Sequence, residues 1–292
     1  MTAPLRTNPA AVAALLTGAV VWGLIWYPYR ALAAAGISGV VSSALTYGIA
    51  LIAALIAFRR IWRGFRPSWM LLWIGLAAAG CNLGYVLATL HGEVMRVLLL
   101  FYLAPLWTVL LSRLLLDERL NAVGGAVIAL SLGGGLTMLW HPEFGAPWPK
   151  NPAEWIGLGS GFLFALSNVL VRKTPHLPIE VKSVAVFFCV VVLGMLLLPF
   201  ASAPAALPRD IGTALLLLTL GAVLLLVNLV VYYGLTHTPA NQAIVIFLFE
   251  LVVAALSSWL LAGEEMGLKE WLGGGMIVAA SLFSGRLGEE GA

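Results

Sequence analysis

The chain is written as long apolar runs with very little between them. A hydrocarbon core of roughly 30 Å needs about 20 helical residues at 1.5 Å each, and runs of that length fall near 11–29, 38–58, 69–88, 94–113, 121–140, 153–171, 183–200, 211–234, 241–261 and 271–285. Ten such spans leave only short connectors in 292 residues, so no soluble domain fits beside them. Backbone groups in lipid must be satisfied within a helix or a closed barrel, and unbroken runs rather than strict alternation select helices. The expected fold class is an all-α integral membrane protein. Composition agrees: 10% of residues are charged, against about 25% in soluble domains.

Charge placement narrows the function. The net charge of +3 could suggest nucleic acid, but the basic residues sit between apolar runs, where a topology signal belongs, so no nucleic-acid partner is expected. With the N-terminus inside, that side holds Arg6, Arg59, Arg60, Arg63, Arg66, Arg113, Arg119, Arg172, Lys173, Lys182 and Arg286. The other side holds only Arg30, Arg96, Lys150, Arg209 and Lys269. The positive-inside rule therefore predicts both termini in the cytoplasm of a bacterial inner membrane. Cys81 and Cys189 lie in separate apolar runs without ligand spacing and read as small buried residues. The apolar run after the basic start at the N-terminus reads as a first span rather than a cleaved signal, because it has a partner later in the chain.

That partner belongs to a repeat. GAVVWGLIWYPYR (18–30) lies over SGFLFALSNVLVR (160–172), placing Trp22 on Phe164, Trp26 on Asn168 and Arg30 on Arg172. LATLHGEVMRVLLLFYLAP (87–105) lies over YYGLTHTPANQAIVIFLFE (232–250) at an offset of 145, so Pro105 falls on Glu250. An offset this steady reads as a duplicated five-helix unit, residues 1–145 and 146–292. Five is odd, so the second copy is inverted in the bilayer, a recurrent transporter plan.

The motifs FYLAPLW (101–107) and LLLDERL (114–120) have counterparts in FLFELVVAAL (247–256) and LLAGEEM (260–266), and the last helix of each half carries a glycine run, SLGGG (131–135) and LGGGM (272–276). In these features the sequence resembles the drug/metabolite transporter superfamily in its ten-helix EamA-type form, and within it the bacterial YddG-like exporters of aromatic and other amino acids. The resemblance implies helices around a central cavity, with the fifth and tenth packed behind, and export of small metabolites. The second half lacks a mid-helix proline, so unequal bending of the fourth and ninth spans is expected.

Within this frame certain residues stand out. Glu250 is about ten residues into a span, where insertion of a charge costs roughly 2.5–3.5 kcal/mol. It reads either as a cavity-facing group that meets an ammonium or a proton, or as a neutral helix-packing carboxyl. Asn82 and Tyr85, and Asn228 and Tyr232, share helix faces and need partners away from lipid, in a neighbouring helix or a wet cavity. The two pairs do not superpose at an offset of 145, where Asn82 falls on Val227. Trp22, Trp26 and Tyr102 offer aromatic faces, with Asn168 as the polar counterpart of Trp26. Trp62, Trp69, Trp140, Trp148 and Trp155 sit at predicted helix ends and read as an interfacial belt. Pro105 removes a backbone donor, which favours a kink suited to gating, although membrane helices also tolerate proline without function. Gly80 with Gly84, and Gly157 with Gly161, have close-packing spacing.

An enzyme is not expected. The four histidines, His91, His141, His176 and His237, fall in predicted connectors, and no metal or other cofactor is implied. Among transported substrates, doubly charged sugar phosphates or nucleotide sugars want Lys or Arg in the cavity, and the span interiors contain neither, Arg30, Arg96 and Arg172 lying near the ends. A zwitterion can be met by helix ends, amides, aromatic faces and one carboxylate. The expected function is amino acid export by alternating access, aromatic and bulky apolar residues favoured, with other metabolites, cationic drugs or sugar phosphates as alternatives. The expected partners are the substrate and membrane lipid, and a monomer suffices.

Overall fold

The computed structural model describes residues 8–60, 68–145, 148–198, 210–263 and 265–285. Arg6, Arg63, Arg66, Arg209 and Arg286 of the charge pattern, Trp62 of the belt and Glu264 of the second acidic pair lie outside the described residues. Thirteen α-helical segments carry the fold: α1 Pro9–Leu24, α2 Trp26–Ala34, α3 Gly39–Ala57, α4 Trp69–His91, α5 Val94–Phe101, α6 Ala104–Leu116, α7 Ala122–Leu139, α8 Pro152–Lys173, α9 Ile179–Leu197, α10 Ile211–His237, α11 Ala240–Phe247, α12 Phe249–Ser257 and α13 Leu268–Phe283. No described residue lies in a strand. They form ten spans, because α1–α2, α5–α6 and α11–α12 are each one broken helix, the last prolonged by a π-helical turn, Ser258–Ala262. Nine are long and apolar enough to cross a bilayer, and the tenth, α13, has 16 residues.

Short polar residues start these helices, as their orphan N–H groups require. Asn8, Ser68, Asn121, Asn151 and Asp210 each accept a hydrogen bond from the first turn of α1, α4, α7, α8 and α10. Their bonds to Thr213 hold the Asp210 carboxyl below its ordinary range. At α8 the cap is reciprocal: Asn151 accepts from the Glu154 N–H and donates to the Glu154 carboxylate. Several spans begin earlier than their hydrophobicity suggests, α9 at Ile179 and α13 at Leu268 among them. Lys182 is the clearest correction. It was expected in a connector, yet α9 starts at Ile179 after Pro178, and Lys182 is fully buried with its Nζ 3.0 Å from the Val171 carbonyl oxygen.

Three spans break in mid-course. In the first, Pro28 has no N–H to offer the Leu24 carbonyl, and the helix interrupts at Ile25. In the fourth, Pro105 likewise leaves the Phe101 carbonyl free, and the break at Tyr102–Leu103 is bridged by a tighter bond from the Leu106 N–H to the Leu103 carbonyl, 3.0 Å. The ninth span breaks too, at Leu248, without a proline, and is bridged the same way from Leu251 to Leu248, 3.0 Å. Both spans are thus interrupted although only one carries a proline: a local change to i→i+3 bonding suffices to break the helix.

Helix ends also refine the repeat. α4 ends at His91 and α10 at His237, and each imidazole Nδ1 lies within 2.9 Å of the carbonyl four residues back. The next helices start at Val94 and Ala240, and α6 and the π turn end on left-handed residues, Asp117 and Gly263. Each pair is separated by 146 residues rather than 145, and this register lays Asn82 on Asn228.

Packing joins the halves more than it fills each one. α4 packs on α8 and α9, α10 on α1 and α3, α3 on α9, and α7 on α13. Large apolar side chains such as Ile56, Trp73, Leu114, Phe188 and Met195 face outward, as lipid allows and water does not. Close approach depends on glycine where α7 crosses α13: a Cβ at Gly134 would lie 2.6 Å from the Gly273 carbonyl oxygen.

Two ion pairs tie the fourth span to the sixth. At its start, Arg96 forks onto Glu154, with Nε–Oε1 2.7 Å and Nη2–Oε2 2.9 Å, and both side chains are buried. Beyond its end, Glu118 lies 3.6 Å from Arg172 and accepts from the Ala240 N–H at 2.9 Å. Burial pushes the Glu118 carboxyl above its ordinary range, against the pull of Arg172 and the Ala240 and Asn241 N–H groups. The start of one span meets the start of the other, and end meets end, so the two run parallel.

Overpacking costs about 1–3 kcal/mol. Gly134→Val should therefore lower the melting temperature of the detergent-solubilised protein by several degrees. Gly275→Ala, where an added Cβ meets nothing within 4 Å, should leave it unchanged.

Candidate functional site

Breaks in the fourth and ninth spans set the centre of the site. Tyr102 caps α5, and Glu250 lies in the first turn of α12. The Tyr102 hydroxyl donates a hydrogen bond to Glu250 Oε1, joining the two breaks. Tyr85 and Cys81 of α4 are electrostatic neighbours of the carboxyl. On its other side α1 comes close, since a Cβ at Gly23 would lie 2.7 Å from the Glu250 carbonyl oxygen. Glu250, Tyr85 and Tyr102 are only half-buried although they sit mid-span. With neighbours drawn from the third and fourth spans, the carboxyl faces the space between helices rather than lipid.

Aromatic rings run outward from this point. Tyr85 meets Phe101 at 5.2 Å, Phe101 meets Tyr102 at 5.2 Å and Phe164 at 5.6 Å, and Phe164 meets Phe247 at 5.7 Å. All but the tilted Phe101–Phe164 pair are edge-to-face, the favoured arrangement at this length. Phe101, Phe164 and Phe247 were not candidates in the sequence, where a phenylalanine in an apolar run carries no signal. Phe101 could have been marked by its place four residues before Pro105, and Phe164 by its place opposite Trp22 in the repeat; Phe247 carried no such signal.

Amides form the polar part. Asn82 donates from Nδ2 to the Tyr47 hydroxyl at 3.4 Å, and its Oδ1 has no partner among the described residues. Its repeat counterpart Asn228 is buried with an equally unpartnered Oδ1, and the neighbouring Tyr232 hydroxyl lies beside Ser167 of α8. Tyr47, Cys81 and Tyr232 are mutual neighbours, so both asparagines border one region. Asn168 Nδ2 is also unpartnered among the described residues. Buried polar atoms are bonded in more than nine cases in ten, so the open amide atoms of Asn82, Asn168 and Asn228, on three helices, are groups left for something else to bond. Tyr47 and Ser167 escaped notice in the sequence; a hydroxyl at mid-span is the signal that could have found them.

Other candidates sit apart. Trp26 donates from Nε1 to Ser257 Oγ at 2.9 Å, and Ser257 in turn reaches the Gly23 carbonyl at 3.3 Å, so this indole ties the first span to the ninth. Ser257 is about two turns from Glu250, and Trp26 belongs to that end of the helix. Trp22 packs against the apolar cluster that holds Tyr47, Tyr232 and Phe247. Pro105 is buried at the second position of α6, and the carbonyl it frees at Phe101 packs against Gly161, where a side chain would land on the oxygen. The 157–161 glycine pair thus receives the fourth span at its break.

Residues 151–286 match the EamA-like transporter family. An uncharacterised transporter of Archaeoglobus fulgidus is 27% identical over 225 residues, 76% of this chain and 78% of that protein. Another, from Vibrio cholerae, is 29% identical over 126 residues, 40% of this chain and 42% of that protein. A crystal structure 19% identical in sequence matches with a TM-score of 0.78 over 95% of this chain and 98% of its own, a likeness of fold. The chain is a multi-pass membrane transporter, and in residues 151–286 it is similar to the EamA-like transporter family.

Replacing an unsatisfied buried polar group by an apolar one of similar shape is near neutral or stabilising. Asn228→Leu should therefore keep the melting temperature within about 2 °C or raise it, whereas Asn82→Leu, which also takes the donor from the Tyr47 hydroxyl, should lower it by a few degrees. Transport should fall at least about tenfold, since a lost bond to a charged ligand group is worth that much.

Proposed function

We propose that the protein is a secondary transporter that exports amino acids, aromatic and bulky apolar ones favoured, by alternating access between the halves 1–145 and 146–292, with the N- and C-termini in the cytoplasm of a bacterial inner membrane. Glu250 carries this reading: a half-buried carboxyl at mid-span, bonded to Tyr102 and facing the helix interior. A substrate ammonium binds at this carboxylate and the amide oxygens of Asn82 and Asn228. The Asn168 amide donates to its carboxylate, and Tyr85, Tyr102 and Phe164 line its side chain, with Trp22 and Tyr232 framing the space. Pro105 supplies the bend about which the fourth span moves. The structure adds a point against sugar phosphates, since the two cations buried in span ends are engaged: Arg96 with Glu154, and Lys182 with Val171. Cationic drugs remain the second reading, favoured by the same carboxylate and rings.

Counterflow in proteoliposomes separates these substrates. Labelled phenylalanine should exchange with unlabelled aromatic and branched amino acids, and competition by sugar phosphates or cationic drugs alone would sink the proposal. Glu250→Gln should abolish accumulation driven by a pH gradient and weaken counterflow binding about tenfold, the change expected when the ammonium loses its charged partner.

A further inference from the structure

The fourth and ninth spans cross at Tyr102 and Glu250, and on one side of that crossing they are joined again. Ser112 of α6 donates from Oγ to Asn241 Oδ1 of α11 at 3.2 Å, and both residues are buried. One turn further, Glu118 caps α11 through the Ala240 N–H, and it pairs with Arg172, whose Nη1 holds the Thr236 carbonyl at 2.6 Å. Glu118 therefore gathers the ends of the fourth, sixth and eighth spans and the start of the ninth. Asp117 makes this reach possible. Its left-handed conformation, φ 57°, uncommon outside glycine, turns the chain so that the Glu118 N–H returns to the Ser112 carbonyl at 3.2 Å.

On the opposite side the polar ties are of another kind: Arg96 forks onto Glu154 of the sixth span and Trp26 bonds to Ser257 of the ninth, and neither joins the fourth span to the ninth. No hydrogen bond or ion pair joins α5 to α12 among the described residues. Arg30, which the repeat lays on Arg172, is exposed and has no partner among the described residues. The first span starts beside Tyr233 near the end of α10, on the Glu118 side, so Arg30 at its far end belongs to the opposite side.

We propose that Glu118, with Arg172 and the first turn of α11, is the latch that holds one mouth of the transporter shut in this conformation, and that its release opens the mouth. By the charge pattern this is the cytoplasmic mouth, through which an exported substrate arrives. The proposal rests on alternating access but not on the identity of the substrate. Glu118 is a positioning residue: it acts on the start of the ninth span and so on Glu250.

The test uses the full chain with Cys81→Ala and Cys189→Ala, and Ser112→Cys as a reporter buried beneath the latch. Labelling of the reporter thiol by a water-soluble maleimide should be slow with Glu118 in place. It should accelerate about tenfold in Glu118→Ala or Arg172→Gln, the effect of losing one charge-assisted bond, and remain slow in Arg30→Ala. Glu118→Gln, which keeps an acceptor for the Ala240 N–H, should lie between. Equal labelling in all variants, at unchanged melting temperature, would overturn the latch; acceleration by Arg30→Ala as well would show general loosening and overturn it too. A failed phenylalanine counterflow beside a positive labelling result would remove the amino-acid reading and leave the latch standing.

Discussion

A helix that breaks inside a bilayer must return every backbone group it frees to some protein partner, because the lipid has none to offer. The arrangement of this molecule follows from that constraint. Pro105 frees the Phe101 carbonyl, and the missing side chain of Gly161 lets that oxygen settle against α8. The break then brings Tyr102 to Glu250 of the second broken span. An ionisable group at mid-depth is tolerable only in such company, where it has a hydroxyl donor and faces its neighbours rather than acyl chains. The same crossing therefore solves a backbone problem and creates the most distinctive chemistry in the chain.

Two copies of one plan give the scaffold, and departures from it give the asymmetry a carrier needs. The third and eighth spans place Asn82 and Asn228 equivalently, and each leaves a carbonyl oxygen open. The fourth and ninth spans interrupt at matching points by the same tightened turn. Yet one copy holds a proline where the other holds a glutamate, and one arginine of the repeated pair is engaged while the other stands in the open. A symmetric scaffold offers two equivalent states of similar energy, and differences of this size decide which is occupied.

Much of the fold could be read from the sequence because lipid removes options. Long apolar runs between capping residues have one outcome, and the order and number of helices followed. Boundaries were less legible, since α9 starts at Ile179, directly after Pro178, and leaves Lys182 buried where hydrophobicity placed a connector. The break at Leu248 was invisible, because a shift from i→i+4 to i→i+3 bonding needs no special residue. Of the site, polar groups in apolar runs announced themselves, so Asn82, Tyr102 and Glu250 were legible. Their surroundings were not: Phe101, Phe164 and Phe247 look like any core residues until tertiary packing lines them up. Trp26 shows the converse, an aromatic that drew attention by its depth and spends its indole N–H on helix packing.

The interleaving of the halves bears on how the chain is made. Spans are inserted in order, and α3, α4 and α7 reach the membrane before α8, α9, α10 and α13, the helices they chiefly pack against, have been synthesised. Until then the glycine-lined face of α4 and the amide of Asn82 stand in lipid or against chance neighbours. The early half is thus a set of separately stable helices awaiting assembly, and the Asn151–Glu154 cap at the start of α8 is where Arg96 finds its charge partner. Synthesis of the sixth span is the first moment at which the native fold can begin to close.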